Sequence, residues 1–432
     1  MACLNIARPG ARNVTLFPLA AKSLWNRRLT SALVVISIAL SVALLLGVER
    51  LRTQARSSFA NTLSGTDLII GARSSPINLL LYSVFRIGDP TNNVRWASYQ
   101  AIAAHPQIAW TVPLSLGDSH RGFRVLGTTG DYFQYYRYGR GQRLQWMEGR
   151  EFAEVFDAVL GAEVAERLGY RLGQSIVIAH GAGEVSFTLH DDKPFRVVGI
   201  LARTGTPVDQ TVHVSLAGIE AIHADWQGGA PIPGQRLSAE QVRQLNLTPK
   251  TITAVLVGLK SKTAIFRLQR EINEFADEPL LAILPGLTLQ QLWDVLGVAE
   301  NALLVVSGLV VLVGLTVMLT ALLTGLNERR REMAILRAVG ARPGQIFMLM
   351  LGESLALTLC GAALGVLLLQ GGLLLAGSAL ETRLGLAIAD WPPSSHEWVL
   401  LAAVLVCGLL AGIFPAWRAY RYSLADGMTL RI

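Results

Sequence analysis

Residues 302–326 read ALLVVSGLVVLVGLTVMLTALLTGL, and residues 328–344, just after, read ERRREMAILRAVGARPG. The first stretch carries no charge. A helix rises about 1.5 Å per residue and the hydrocarbon core of a bilayer is about 30 Å thick, so roughly 20 such residues cross it. Three further stretches meet the same criterion: Leu29 to Val48, residues 346–380 with the single charge Glu353, and Trp398 to Trp417. The chain is therefore read as a membrane protein with four transmembrane α-helices. Its 51% hydrophobic content over 432 residues supports that class.

The flanks give the sidedness. Arg8, Arg12, Lys22, Arg27 and Arg28 precede the first span; Arg329, Arg330, Arg331, Arg337 and Arg342 separate the second from the third; Arg418, Arg421 and Arg431 follow the fourth. The connection 381–397 holds Arg383 against Glu381, Asp390 and Glu397. Positive residues stay on the cytoplasmic side, which places both termini and the second-to-third loop there. The expected order is a cytoplasmic segment 1–28, a first span 29–48, an extracytoplasmic α+β domain 49–301, a second span 302–326, a cytoplasmic loop 327–345, a third span 346–380, an outer loop 381–397, a fourth span 398–417 and a tail 418–432. The net charge of +7 is thereby used in topology, and no nucleic-acid partner is expected. With three cysteines, Cys3, Cys360 and Cys407, neither a disulfide framework nor a zinc ribbon can be built. The first apolar stretch is too long for a signal sequence and is expected to remain as an anchor.

Within 49–301 the helix from Glu49 runs to a stop at Ser64-Gly65, and Leu289 to Asn301 leads into the second span, so the two form a stalk. Apolar runs at Asp67 to Ile70, Ile108 to Pro113, Ser175 to Ala179, Phe195 to Leu201 and Thr251 to Leu259 read as strands. Helical patterns fall at Trp96 to His105, Glu163 to Leu168 and Thr263 to Ala276, and the whole suggests two lobes with a loop at Trp226 to Gln235. The largely apolar Ile77 to Val84 reads as a buried segment, with a lipid, cargo or partner contact as the alternative.

No catalytic or metal residues are expected. The six histidines of this region, at 105, 120, 180, 190, 213 and 223, give no H-x-H or H-x-x-x-H pair, and His190-Asp191-Asp192 before Lys193-Pro194 reads as a turn. Asp118-Ser119-His120 holds triad residue types, but adjacent residues cannot point at one another, so loop polarity accounts for them. Neither G-x-S-x-G nor G-x-x-x-x-G-K-[ST] occurs, so ATP is expected to be hydrolysed on another chain and no cofactor to be bound directly.

In the second-to-third loop Met333, Leu336 and Val339 recur at helical spacing and Gly340 offers a helix end. Topology explains the arginines of this loop; it does not explain an apolar stripe. Gly361-x-x-x-Gly365 and Gly408-x-x-x-Gly412, with Ser37 and Ser41, allow close helix approach. Glu353 is assigned a structural role near the cytoplasmic face.

Taken together, Glu328 to Gly340 with Gln345-Ile346 resembles the signature of MacB/FtsX-like ABC transporter permeases. The likeness extends to Leu24-Trp25-Asn26-Arg27-Arg28-Leu29-Thr30-Ser31, Gly149-Arg150-Glu151-Phe152, Val159-Leu160-Gly161, Leu172-Gly173-Gln174, Val197 to Leu201 and Pro415-Ala416-Trp417-Arg418-Ala419. Leu424 departs from a proline frequent in the family. What the resemblance implies is a non-catalytic permease in a bacterial inner membrane, with a MacB-like periplasmic core domain and no fused ATPase. It implies a homodimer, or pairing with a related permease, and two copies of a separate ABC ATPase. The ATPase drives a mechanical stroke of the periplasmic domain through a coupling helix at Arg331, Met333, Leu336, Arg337, Val339 and Gly340, with Gly361, Gly365, Gly408 and Gly412 packing the spans. A periplasmic adaptor or substrate protein is a further implied partner. Export or mobilisation of an extracytoplasmic substrate, and FtsX-like regulation of a partner such as a cell-wall hydrolase, both fit. A carrier with a site at the bilayer midplane does not, because charged or strongly polar residues are nearly absent from these spans.

Overall fold

The computed structural model describes residues 27–181, 190–227, 230–231, 237–328, 330–338, 340–384 and 394–421. Among the described residues four helices are long and apolar enough to cross a membrane: α1 (Arg28–Thr62), α6 (Pro285–Glu328), α8 (Pro343–Leu384) and α9 (Ser395–Arg421). The chain divides into two compact units, with the boundaries inside α1 after Thr53 and inside α6 before Ala299.

The globular unit, Gln54–Val298, is α+β. Its large sheet contains β1 (Leu68–Ala72), β2 (Ile108–His120), β3 (Phe123–Thr128), β4 (Trp146–Gly149), β5 (Asp157–Leu160), β6 (Ser175–Ile176), β7 (Ala179–His180), β8 (Phe195–Leu201), β9 (Thr211–Ser215), β10 (Ala254–Leu259) and β11 (Leu280–Ile283). The order is β11-β1-β10-β2-β3-β9-β5-β8-β4, with β7 on β2 and β6 on β8. The helices α2 (Trp96–Ala103), α3 (Ala162–Leu168), α4 (Leu216–Ile222) and α5 (Ile265–Asn273) accompany it.

β2 explains why two lobes are not separate. Its first half pairs with β10 from Ile108 to Leu114, and its second half with β3 from Ser115 to His120. One thirteen-residue strand therefore belongs to both halves. Asp118, Ser119 and His120, expected in a loop, are instead its buried end. β1 sits between β10 and β11, and its Leu68, Ile69 and Ile70 are all fully buried, which is why an unbroken apolar run rather than an alternating one makes this strand. The Ile77–Val84 segment is core: Leu79, Leu80, Tyr82 and Val84 pack with Ile69, Leu114 and Leu256. Trp226 and Gln227 pair antiparallel with Ala230 and Pro231 within the 226–235 stretch expected as a loop, the rest of which lies outside the described residues.

Two glycines explain why sequence motifs far apart meet. Gly149 and Gly199 are register partners across β4 and β8. Gly149 has φ +80°, and a Cβ there would lie 2.8 Å from the Gly199 Cα, so neither the conformation nor the space admits a side chain.

His213, on β9, is fully buried between neighbours that include the rings of Tyr132 (5.2 Å between centroids) and Phe133 (6.0 Å). Burial, then the nearby Arg86 charge, lowers its pKa to about 3. The unfolded chain takes up this proton near pH 6.5 and the folded chain does not, so this contribution to stability is complete above about pH 6.5 and is lost as pH falls toward 3. His213 alone should make the globular unit lose about 1.4 kcal/mol per pH unit across that window. In urea unfolding of the detergent-solubilised chain followed by tryptophan fluorescence, His213→Leu should flatten the acid limb by that amount; an unchanged limb refutes the assignment.

Candidate functional site

The segment between α6 and α8 contains a short helix, α7 (Arg330–Ala338). Its end is fixed by Gly340 at φ +103°, with the Gly340 amide donating to the Arg337 carbonyl (3.0 Å) and the Ala341 amide to the Leu336 carbonyl (2.9 Å). Bonds of this span close a helix where the left-handed residue is glycine. Met333 is buried in a cluster with Leu326, Ile346, Leu349, Met350, Ala416 and Ala419, so α7 is nailed onto the inner faces of α6, α8 and α9.

The stripe expected from the sequence is thereby divided. Met333 is buried, Leu336 and Arg337 are half-buried, and Gly340 is exposed. Arg331 lies in α7, and Val339 falls outside the described residues. Among the described residues of α7, Ile335 offers apolar surface, being 55% exposed, with Glu332 and Ala338 exposed on either side of it along the helix. Periodicity alone missed Ile335 because three neighbouring apolar residues, 333, 335 and 336, can be read on two faces, and only packing shows which face is taken.

The four packing glycines serve contacts within the chain. A Cβ on Gly361 would lie 2.6 Å from Ile38 Cγ2, and one on Gly365 2.7 Å from the Ala39 carbonyl oxygen, so both glycines seat α8 against α1. On α9, a Cβ at Gly408 would lie 2.6 Å from Thr358 Cγ2 and one at Gly412 2.5 Å from Ser354 Cβ. Close approach lets Ser354 Oγ donate to the Gly408 carbonyl at 2.8 Å. Ser41 Oγ donates to the Ser37 (2.8 Å) and Val310 (3.1 Å) carbonyls, joining α1 to α6. Glu353 is buried and lines a recess with Arg27, Thr30, Ser31 and Gly325.

A charged network that sequence reading passed over lies near the ends of the same helices. Arg50 donates from Nε to Glu397 Oε1 (3.2 Å), from Nη2 to Oε2 (2.8 Å) and from Nη1 to Gln370 Oε1 (3.1 Å). Arg52 donates from Nε to Glu300 Oε2 (3.0 Å) and from Nη1 to Glu49 Oε2 (3.3 Å), while His396 Nε2 lies 3.6 Å from Glu49 Oε1. Arg50 and Glu397 are 8% and 3% exposed. The bidentate fork ties α1 to α9, Gln370 adds α8 and Glu300 adds α6.

In the globular unit the fold also gathers Asp118, His180, His190 and His223, whose ligand atoms all lie within 4.8 Å of one another. Asp118 and His180 are register partners across β2 and β7. Burial first, then neighbouring His223, lowers the His190 pKa to about 4, whereas the hydrogen bond to Asp118 raises that of His180. Local spacing could not reveal this group, because its members come from two strands, a turn and the end of α4.

Residues 29–275 match the MacB-like periplasmic core domain family, and residues 304–424 the FtsX-like permease C-terminal family. The chain is 34% identical over 117 residues to the uncharacterized ABC transporter permease YknZ of Bacillus subtilis, covering 26% of this chain and 27% of that protein. It is 23% identical over 433 residues to the pyoverdine export ATP-binding/permease protein PvdT of Pseudomonas putida, covering 95% and 59%. These curated relatives are thus matched over less than two thirds of their length. The crystal structure of the periplasmic region of MacB from Actinobacillus actinomycetemcomitans aligns with a TM-score of 0.34 at 11% identity, covering 54% of this chain and 94% of that one. With the core-domain family matching more than half of its residues and the permease family most of the rest, the chain belongs to the MacB/FtsX-type ABC transporter permeases, multi-pass membrane proteins with a MacB-like periplasmic core domain.

Proposed function

We propose that this permease acts as a lever, in a bacterial inner membrane, between a separate ABC ATPase and its own periplasmic domain, exporting or mobilising an extracytoplasmic substrate as a homodimer or with a related permease. The observation that carries this reading is α7: a short helix anchored by Met333 among α6, α8 and α9, with Ile335 left exposed. A solvated connection needs neither feature, whereas a helix that transmits force needs both a rigid root and a free contact face. The anchoring cluster includes Leu326 of α6 itself, so a push on α7 acts directly on that helix. ATP enters through the partner, and the permease supplies no catalytic group.

The test is reconstitution in lipid nanodiscs with a candidate ABC ATPase from the same organism. ATP turnover is expected only when both chains are present, together with their stable co-purification. Turnover by the permease alone, or no association with any such ATPase, overturns the reading.

A further inference from the structure

We propose that Asp118, His180, His190 and His223 form a binding site for one divalent transition-metal ion, Zn²⁺ being the ion that this set of three imidazoles and a carboxylate suits.

His180 Nδ1 lies 3.1 Å from His223 Nε2 and 3.2 Å from Asp118 Oδ1, and His223 Nε2 lies 3.6 Å from Asp118 Oδ1. With zinc–ligand bonds of about 2.0–2.1 Å, ligand atoms of a tetrahedral site stand about 3.3–3.4 Å apart. Three of the donors therefore already form one face of such a tetrahedron. The longest separation in the group is 4.8 Å at most, so closing the fourth ligand asks for a movement of at most about 1.5 Å.

Ordinary hydrogen bonding accounts for only part of this arrangement. His223 Nδ1 is 2.9 Å from the Ile219 carbonyl, so it is the nitrogen that carries the proton and donates, leaving the Nε2 lone pair facing His180 and Asp118. A shared proton on His180 Nδ1 can serve both of these neighbours. It leaves nothing for His190, which is 1% exposed and whose Nε2 is buried without a hydrogen-bond partner among the described residues. A buried nitrogen left without a partner is unfavourable, and a metal ion at the group's centre removes that cost.

The surroundings fit as well. The backbone carbonyl on His223 Nδ1 is the outer partner that orients a ligating imidazole. Trp226 packs on all three rings, with centroids 5.1, 4.7 and 5.6 Å from His180, His190 and His223, and walls the group with apolar surface. The charge of nearby Lys193 is matched by Asp192 (2.7 Å) and Asp225 (2.9 Å). His180 has 42% of its side chain exposed, which gives an ion a way in. Four protein donors fill the coordination shell, the pattern of a structural rather than a catalytic ion. It would fasten the His190 turn and the end of α4 to the β2–β7 pair.

The inference concerns the globular unit alone and does not depend on the ATPase reading. The experiment uses the untagged full chain in detergent, stripped with chelator and dialysed against Zn²⁺, with metal measured by mass spectrometry. About one Zn²⁺ per chain is expected, with a raised melting temperature. His180→Ala and Asp118→Asn should each weaken Zn²⁺ binding by more than about 10-fold, since loss of even an outer partner of a ligand costs 10–100-fold. Co²⁺ should give the intense visible bands of a tetrahedral ion in the native chain and not in His180→Ala. Because His180 is partly exposed, its variant should keep the native far-ultraviolet circular dichroism, so lost binding is not lost folding. No retained Zn²⁺, or equal retention by the native chain and both variants, overturns the proposal.

Discussion

Glu397→Ala is expected to cost the helical unit about 3–5 kcal/mol. The reason is what the substitution leaves behind. Glu397 receives both forks of Arg50, whose guanidinium is buried and also donates to Gln370 Oε1 on α8. Without the carboxylate a permanent positive charge stays in a site with little water. Two comparisons separate that cost from lost packing. Arg50→Ala strands the opposite charge and should be similarly damaging. The double variant Arg50→Met/Glu397→Leu removes both charges while keeping volume, and should recover most of the loss, since replacing a buried pair by apolar residues is often neutral. Unfolding in mixed micelles with increasing denaturant, read by circular dichroism, measures all three. A loss under 1 kcal/mol for Glu397→Ala, or no recovery in the double variant, shows that the pair contributes little.

Ile335→Glu is expected to weaken association with the ATPase at least about 30-fold, the equivalent of a 2 kcal/mol interface hot spot, and to abolish stimulated turnover while leaving the permease folded. Ile335 is exposed on α7, so a charge there meets water in the isolated chain and is buried only when a partner covers it. Met333 makes the contrasting control. It lies within the permease's own apolar cluster, so Met333→Glu should lower the stability of the helical unit itself. Leu336, half-buried between the two faces, should give a mixed result. Titration of the ATPase onto nanodisc-held permease, with melting temperatures measured in parallel, distinguishes the cases. Unchanged affinity for Ile335→Glu moves the contact away from this face.

How much of this was legible beforehand follows from the range of the forces involved. Span length is a one-dimensional property: 25 uncharged residues at 302–326 are enough to cross a bilayer whatever surrounds them, and arginines beside such a stretch act locally. The stop of α1 before Ser64-Gly65, the end of α7 at Gly340 and the strand at Phe195–Leu201 are local in the same sense, set by a few adjacent residues. Strands such as Phe123–Thr128 and Thr211–Ser215 were not seen, because β3 and β9 are parallel neighbours in the interior of the sheet and owe their existence to partners some 87 residues away, as in Arg124 opposite Thr211. The same limit applied to sites. The buried fork of Arg50 and Glu397 joins residues 347 positions apart, and Asp118 meets His180 across 62. By itself the sequence determined which segments are long and apolar enough to enter a membrane and where the short helix between two of them ends, since each rests on solvent preference and backbone geometry within one segment. Only the tertiary structure decided which face of α7 is exposed, which glycines touch which helix, and that three dispersed histidines and an aspartate come together in one cluster, because burial and mutual approach are properties of the packed chain.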